Sequence, residues 1–500
     1  MKKYILYILV FISLSTYAQK SEDALRFSQK NYFSTARSAA MGGAFGALGA
    51  DFHAVGINPA GLAIYRHNEF SFSTGLSLIN AEQKMTIANG QDFNINTDIT
   101  SWNLGHMNAV IVINDEGIEE EGFGNIVIGL GYRQLNNFDR ESLGKVDNSK
   151  SSFLDYLGIR GVSDLNNNYN DVNPFSAGLF EKVHLLQVDK NGFSTGLEAN
   201  ELLNQTKKII ESGYQGEYEI SIATNIDRQV FIGASVGIQQ LDYTYSSAYN
   251  EATIGNTNEY VDNYSFLQHV NQSGYGVNLK LGVIYKPIQN ISLGLAFDSG
   301  TNIKIDEEYY TTAVANYKKD VNGKKQHVAK STVNDYSYTL KTPLKMTFSG
   351  AYVFGQRALI STDIEYINYS RARFEKGNDE SVFEGINSET DETYRGVWNF
   401  RIGGEYRLNS LFTLRAGYAF EDSPYENGFI NDNNYKNIFS GGFGFNLQNF
   451  YANVAYVNTR YNNSYVFYNV QDPTYGTSIS SLVEQKMSNN DFMLSVGIKF

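Results

Sequence analysis

Between Glu69 and Asn80 the chain alternates. Phe70, Phe72, Leu76 and Leu78 fall on one face of an extended strand, and Ser71, Ser73, Gly75 and Ser77 fall on the other. The pattern recurs downstream. Tyr275, Val277, Leu279, Leu281, Val283 and Tyr285 alternate with Gly276, Asn278, Lys280 and Gly282. Phe412, Leu414, Ala416, Tyr418 and Phe420 alternate with Thr413, Arg415, Gly417, Ala419 and Glu421. Successive side chains of a strand point to opposite faces. One apolar face and one small, polar or charged face is what a wall between lipid and water requires.

About fourteen such segments follow one another. They are expected at 69–80, 98–114, 123–136, 214–226, 228–246, 269–286, 289–305, 335–354, 357–373, 395–408, 410–423, 435–447, 449–462 and 489–500. In 98–114 the alternation is confused, because Met107, Ala109 and Ile111 compete with Val110 and Val112. Parity also slips near Gln240, as a bulge would produce. The connections alternate between short, as near 227, 287–288 and 409, and long, as at 137–213, 247–268 and 306–334. Short periplasmic turns and long outer loops give that rhythm in outer-membrane barrels. An even strand count then puts both termini in the periplasm. Tyr243, Tyr245, Tyr366, Tyr369, Tyr418 and Phe420 are expected to form an outer aromatic girdle. The expected fold is all-β: a transmembrane antiparallel barrel with a small N-terminal plug and helices in the long outer loop at 137–213.

The start of the chain reads as a signal peptide over residues 1–18. Lys2 and Lys3 precede the apolar stretch Tyr4 to Leu14, and Thr16 and Ala18 suit cleavage before Gln19. No later window is long and apolar enough for a membrane helix. A membrane-embedded chain without such helices must close its strands, because lipid satisfies no backbone group. The sequence lacks cysteine, which removes disulfides, thiolate metal sites and lipid attachment through Cys. The net charge of −13 argues against a nucleic-acid partner. The 36 tyrosines, 32 phenylalanines and 45 glycines suit aromatic-rimmed, closely packed strands. The final strand presents Phe492, Leu494, Val496, Ile498 and Phe500 on one face. A terminal aromatic on such a strand looks like the signal read by the barrel-assembly machinery, so Phe500 is the expected assembly residue.

Residues 19–68 lie between the leader and the barrel, which runs over 69–500. They contain Arg37 to Ala44 (RSAAMGGA) and Asn58-Pro59-Ala60-Gly61-Leu62. Gly42 and Gly43 permit tight turns, and Asn58-Pro59 favours one. On these residues, their position before the first strand, the strand count and the terminal Phe, the chain resembles the FadL/TodX family of outer-membrane transporters for hydrophobic compounds. The style of the plug resembles divergent Bacteroidetes-type members, some loosely labelled hemin receptors. The resemblance implies passive uptake of small hydrophobic molecules such as long-chain fatty acids. The route would be outer-loop capture, a lumen pocket and movement of the hatch residues Gly42, Gly43, Asn58, Pro59, Ala60, Gly61 and Leu62. It also implies a lateral exit, for which Gly129 and Gly131 are weak candidates. A second reading is a binding or scaffold barrel, such as a cargo shuttle of type IX secretion.

The long outer loop supplies candidate capture residues. Asn173-Pro174 is expected to start a helix that puts Phe175, Leu179, Val183 and Leu186 on one face. Thr195 and Glu198 suggest the cap of a second helix carrying Leu202, Leu203, Ile209 and Ile210. With Phe153, Leu154, Tyr156 and Leu157 these would form a capture groove, or would simply pack together as a cap. Inward charges are expected at Lys280, Asp363, Glu365, Arg401, Glu405, Arg407, Arg415 and Glu421. Of these, Lys280, Arg401 and Arg415 are candidates to meet a ligand carboxylate; a paired lumen network is the competing reading. The six histidines show no metal-like spacing, and no P-loop, dinucleotide fingerprint, HExxH or GxSxG occurs. No catalytic residue and no cofactor is expected. The expected partners are hydrophobic small molecules, outer-membrane lipids and lipopolysaccharide, around a monomer.

Overall fold

A computed structural model describes residues 21–31, 34–86, 92–113, 124–164, 172–189, 192–198, 201–255, 258–377, 379–472, 476–479 and 482–500. The expected leader at 1–18 and the turn at 115–122 therefore lie outside the described residues. Fourteen antiparallel wall strands follow in chain order. They are β1 (Glu69–Thr86), β2 (Asp92–Ile113), β3 (Ile126–Asn137, continued by Arg140–Ser149), β4 (Leu203–Ile226), β5 (Val230–Thr253) and β6 (Val261–Ile288). Then come β7 (Ile291–Asp298 and Asn302–Val321), β8 (Lys324–Lys330, Asn334–Lys341 and Lys345–Phe354) and β9 (Ala358–Asn368 and Arg373–Glu375). The last are β10 (Gly396–Arg407), β11 (Phe412–Glu421), β12 (Lys436–Leu447), β13 (Phe450–Val466) and β14 (Leu482–Lys499). Each pairs with its sequence neighbour, and β1 pairs with β14 from Glu69↔Lys499 to Met85↔Val483, which closes the ring. Closure leaves no unpaired edge in the hydrocarbon layer.

Alternation sorts the side chains as the pattern requires. Val277, Leu279, Leu281 and Val283 point outward and stay exposed, while Asn278 and Lys280 between them are buried. The confusion in β2 has a local cause. The β1–β2 register shifts between Ser73, opposite His106, and Thr74, opposite Leu104, so Gly105 is an extra residue. Before it Trp102 faces outward, and after it Met107 and Ile111 do. A bulge switches the facing of every residue beyond it.

No such shift occurs near Gln240. The pairings of β5 with both neighbours run without interruption. What changes there is the chemistry of the inward face. Ser235 and Gln239 point in below this level, and Leu241 and Tyr243 point in above it. Asp242 and Thr244 then face out, because this length of hairpin stands clear of the lipid. The expected girdle is corrected accordingly. Tyr243 lies inside against Phe27, with ring centroids 5.7 Å apart, and Tyr369 is buried.

The long outer loop also departs from expectation. Its helices, among the described residues, are α1 (Phe153–Asp164) and a short α2 (Ala177–Lys182). The expected second helix does not form. Leu203, Ile209 and Ile210 belong to β4, which pairs with β5 from Leu203↔Thr253. Their strand pairing satisfies more backbone than a short isolated helix would. Among the described residues, no helix is long and apolar enough to cross a membrane.

Candidate functional site

The N-terminal segment runs through the lumen from one end to the other. The helix at Ser21–Ser28 lies at the long-loop end, where Ser21 Oγ donates to Glu389 Oε1 at 2.8 Å. The segment then descends through Ala36–Ala39 and Phe52–Ile57 to the 3₁₀ turn at Pro59–Ile64. Phe500, whose N–H donates to the Asn68 carbonyl at 3.0 Å, marks the short-turn end. The first described residues are thus at the opposite end from the C-terminus, not beside it as expected from an even strand count.

The hatch motif is seated on wall glycines. Asn58 caps the 3₁₀ turn by accepting from the Ala60 N–H at 3.1 Å. Its amide donates to the Gly46 carbonyl at 2.8 Å and to the wall carbonyl of Val283 at 3.2 Å. A Cβ at Gly282 would coincide with Asn58 Oδ1, one at Gly233 would overlap the Pro59 carbonyl, and one at Gly294 would lie 2.6 Å from the Gly46 oxygen. Gly61 and Leu62 are buried in the same turn, and Leu62 and Phe52 fill the space beside Gly129 and Gly131. Those two glycines therefore receive the plug. Gly42 and Gly43 both take positive φ, +64° and +76°, which glycine tolerates. This turn lies against Gly403, Gly417 and Gly442, and the Gly42 N–H donates to Ser440 at 3.0 Å. Absent side chains on the wall let two backbones meet.

The inward charges are paired, many of them with the plug. Asp363 accepts from the N–H groups of Phe45 and Gly46 at 3.0 Å. Arg37, a motif residue whose role the sequence left open, bridges Glu405 at 3.2 Å and the Ala50 carbonyl at 3.1 Å. Arg415 meets the same Glu405 at 2.7 Å, and Arg401 meets Glu365 at 3.1 Å. Lys280 bonds Glu217, which also receives Arg133 at 2.6 Å. Lys30 of the plug meets Asp298 at 3.0 Å. Lys280, Arg401 and Arg415 thus point inward, but each is committed to a carboxylate. Burying a charge is tolerable only with such partners.

The six proposed capture residues come together as a packed roof. Leu154, Leu179 and Val183 are fully buried, Phe153 and Leu186 nearly so, in one cluster with Phe180, Tyr249, Tyr264, Phe266 and Tyr468. Phe175 is half-buried and stacks on Tyr309, centroids 5.5 Å apart. Under the roof sits Glu251. It accepts from Ser152 Oγ, the Phe153 N–H and Gln205 at 2.8 Å each, and from the Tyr249 hydroxyl. Burial pushes its carboxyl above the usual glutamate range. His184 and His327, far apart in sequence, pack edge to face with centroids 5.0 Å apart. Among the described residues no group of three or more metal-ligating side chains forms.

Beside the helix end of the plug a cavity of about 360 Å³ remains. One side is Leu25, Arg26 and Lys30 of the plug, and the rest is wall from β1 to β4 and from β11 to β14, with Tyr425, Asn431 and Asn434 of the connection between β11 and β12.

A ring of fourteen strands filled by an N-terminal plug, with a cavity beside it, defines a plugged barrel of the outer-membrane type. Residues 213–467 match the family model described as outer membrane protein transport protein (OMPP1/FadL/TodX). The chain belongs to this family of outer-membrane transport proteins for hydrophobic compounds. Sequence comparison with curated proteins finds no match. Two similar solved structures are a Pseudomonas aeruginosa FadL homologue and the P. putida toluene transporter TodX. The first gives a TM-score of 0.55 at 14% identity over 93% of this chain and 98% of that one. The second gives 0.52 at 15% identity over 93% and 97%. At that identity they share the fold.

Proposed function

We propose that the chain carries small hydrophobic or amphipathic molecules passively into the cell, with long-chain fatty acids and monoaromatic hydrocarbons as the reference compounds. A molecule meets the outer roof, enters the cavity beside the plug, and leaves once the hatch around Asn58 to Leu62 shifts. The observation that carries this reading is a cavity beside the plug in a lumen that the plug itself blocks. The plug is held to the wall by hydrogen bonds and ion pairs and by apolar clusters such as Phe52, Val55 and Leu62 against Val127, Phe231 and Ile284; the polar contacts can exchange for water when the hatch shifts.

The test is flux of labelled oleate and of toluene into proteoliposomes holding the full chain. Transport well above protein-free vesicles, independent of a proton gradient, is the expected result. Rates equal to protein-free vesicles for both compounds sink the proposal. Phe175→Asp, at the half-exposed edge of the roof, is expected to slow entry while the barrel stays heat-modifiable on gels.

A further inference from the structure

The outer part of the wall ends in an open sheet edge. In β8 the segment Lys324–Lys330 pairs with β7, from Thr312↔Lys330 to Val321↔Lys324, and with no other strand among the described residues. The next strand of the ring, β9, reaches only to Arg373–Glu375, which pairs lower down with Thr339–Lys341. The phase of the ladder fixes which backbone groups are left over. The Ser331 N–H donates to the Thr311 carbonyl at 3.0 Å, so Ser331, Ala329 and His327 turn their backbone towards β7. In an antiparallel ladder the alternate residues, Gln326, Val328 and Lys330, turn their N–H and C=O groups the other way. Among the described residues none of these groups has a hydrogen-bond partner. The edge also stands clear of the lipid. Lys330 is roughly 50 Å along the strand from the lipid-facing Met346, and an apolar band is only about 25 Å tall.

An open edge in water is a template for another strand. Here the side chains select what is added. The hairpin over 318–330 carries Lys318, Lys319, Lys324, Lys325 and Lys330 against one acid, Asp320, in a chain whose net charge is −13. Lys318 donates to the carbonyls of Gly255 and Asn258, and Lys319 pairs with Glu259. Lys330 lies over the Tyr310 ring at 4.1 Å. Among the described residues no carboxylate is within ion-pair distance of Lys324, Lys325 or Lys330. Between these lysines Val328 is 61% exposed, on the same outward face as Gln326 and Lys330. Two copies paired antiparallel along this edge would set Lys324 against Lys330, and like charges directly opposite destabilise a strand pair. The lysines that keep copies of this chain apart attract a strand of opposite sign.

We propose that the outer end of β8 binds an extended acidic segment of another protein by strand addition. This surface is separate from the cavity and goes beyond the transport reading without depending on it. The added strand runs antiparallel and bonds to the backbone of Gln326, Val328 and Lys330. It sets acids opposite Lys324 and Lys330 and a β-branched side chain opposite Val328. Main-chain bonds supply the affinity, and the alternate side chains supply the selectivity. A phosphate-rich polymer would engage the lysines but leave Val328 and the open backbone groups unmet.

The experiment uses the full chain in nanodiscs and a labelled synthetic threonine peptide that carries a valine between two glutamates. Anisotropy is expected to show saturable binding. Hydrogen exchange at the Gln326, Val328 and Lys330 amides is expected to slow when the peptide binds, because those N–H groups gain acceptors. Val328→Pro removes an N–H that the ladder with β7 does not use, so the hairpin persists, and binding is expected to weaken about three- to tenfold. Lys330→Glu, a change at an exposed side chain, is expected to weaken binding about two- to fivefold and to favour a peptide with lysines in place of the glutamates. Three results overturn the proposal. One is no binding of the peptide. Another is equal binding by a peptide N-methylated at its pairing amides, or polyphosphate binding without protection at Val328, either of which reduces the edge to a patch of charge. The third is dimerisation of the chain through this edge when no peptide is present.

Discussion

Single residues decide how plug and wall fit. Gly417 lies so close to the Met41–Gly42 backbone that a Cβ there would overlap it. Backbone, unlike a flexible side-chain end, cannot swing aside. Gly417→Ala is therefore expected to displace the plug while strand pairing in β10–β12 persists. Single-channel recordings should show frequent large openings; a closed channel like the parent would refute this. Glu251 makes a different prediction. Its carboxyl is raised by burial, so the folded cap binds protons more tightly than the unfolded chain does. The stability this gives is complete below the ordinary glutamate pKa of about 4.3 and falls as pH rises through the raised value. Hydrogen exchange in α1 is expected to speed up over that window beyond the intrinsic rate. Glu251→Gln should flatten the response, and a parent with no pH dependence would contradict the assignment. Asn58 was legible as a turn former. Its contact with the wall at Val283 was not, because nothing in a local pattern states which strand lies opposite.

At the scale of elements, each long hairpin contains two environments. In β5 and β6 the lower outward residues are apolar and the upper ones polar, with no change of register. Lysine at Leu279, on the lipid face, is expected to cost about 2–4 kcal/mol near the bilayer midplane. Lysine at Thr244, on the same outward face of its strand but above the lipid, should stay within about 0.5 kcal/mol. Urea titration of the barrel in vesicles distinguishes them, and equal costs would mean that the hairpins are immersed along their whole length. The wall strands were readable because period-two alternation is a local signal. The expected bulge at Gln240 was a misreading of the same signal. A change of surroundings along one strand mimics a change of parity. At 98–114 the reverse holds, since the true bulge at Gly105 is what scrambles the pattern. The helical period in Leu202 to Ile210 misled for a third reason. Strand pairing with β5 outweighs a weak amphipathic preference.

For the whole molecule, ring closure between β1 and β14 involves no plug residue. Deleting residues 21–48 is therefore expected to leave a barrel that assembles and shows heat-modifiable migration. It should pass large hydrophilic solutes and sensitise cells to bulky antibiotics. Failure of that variant to reach the membrane would show that the plug is needed for assembly rather than only for closure.

The sequence by itself determined the barrel, its strand number and the existence of a glycine-rich plug, because alternation, turn chemistry and chain length are local quantities. Tertiary structure alone decided which wall glycines receive the plug and that Lys280, Arg401 and Arg415 are occupied by carboxylates. It also decided that the outer apolar residues pack together as a closed roof. Those outcomes depend on partners hundreds of residues away, and such distances leave no trace in a pattern of neighbours.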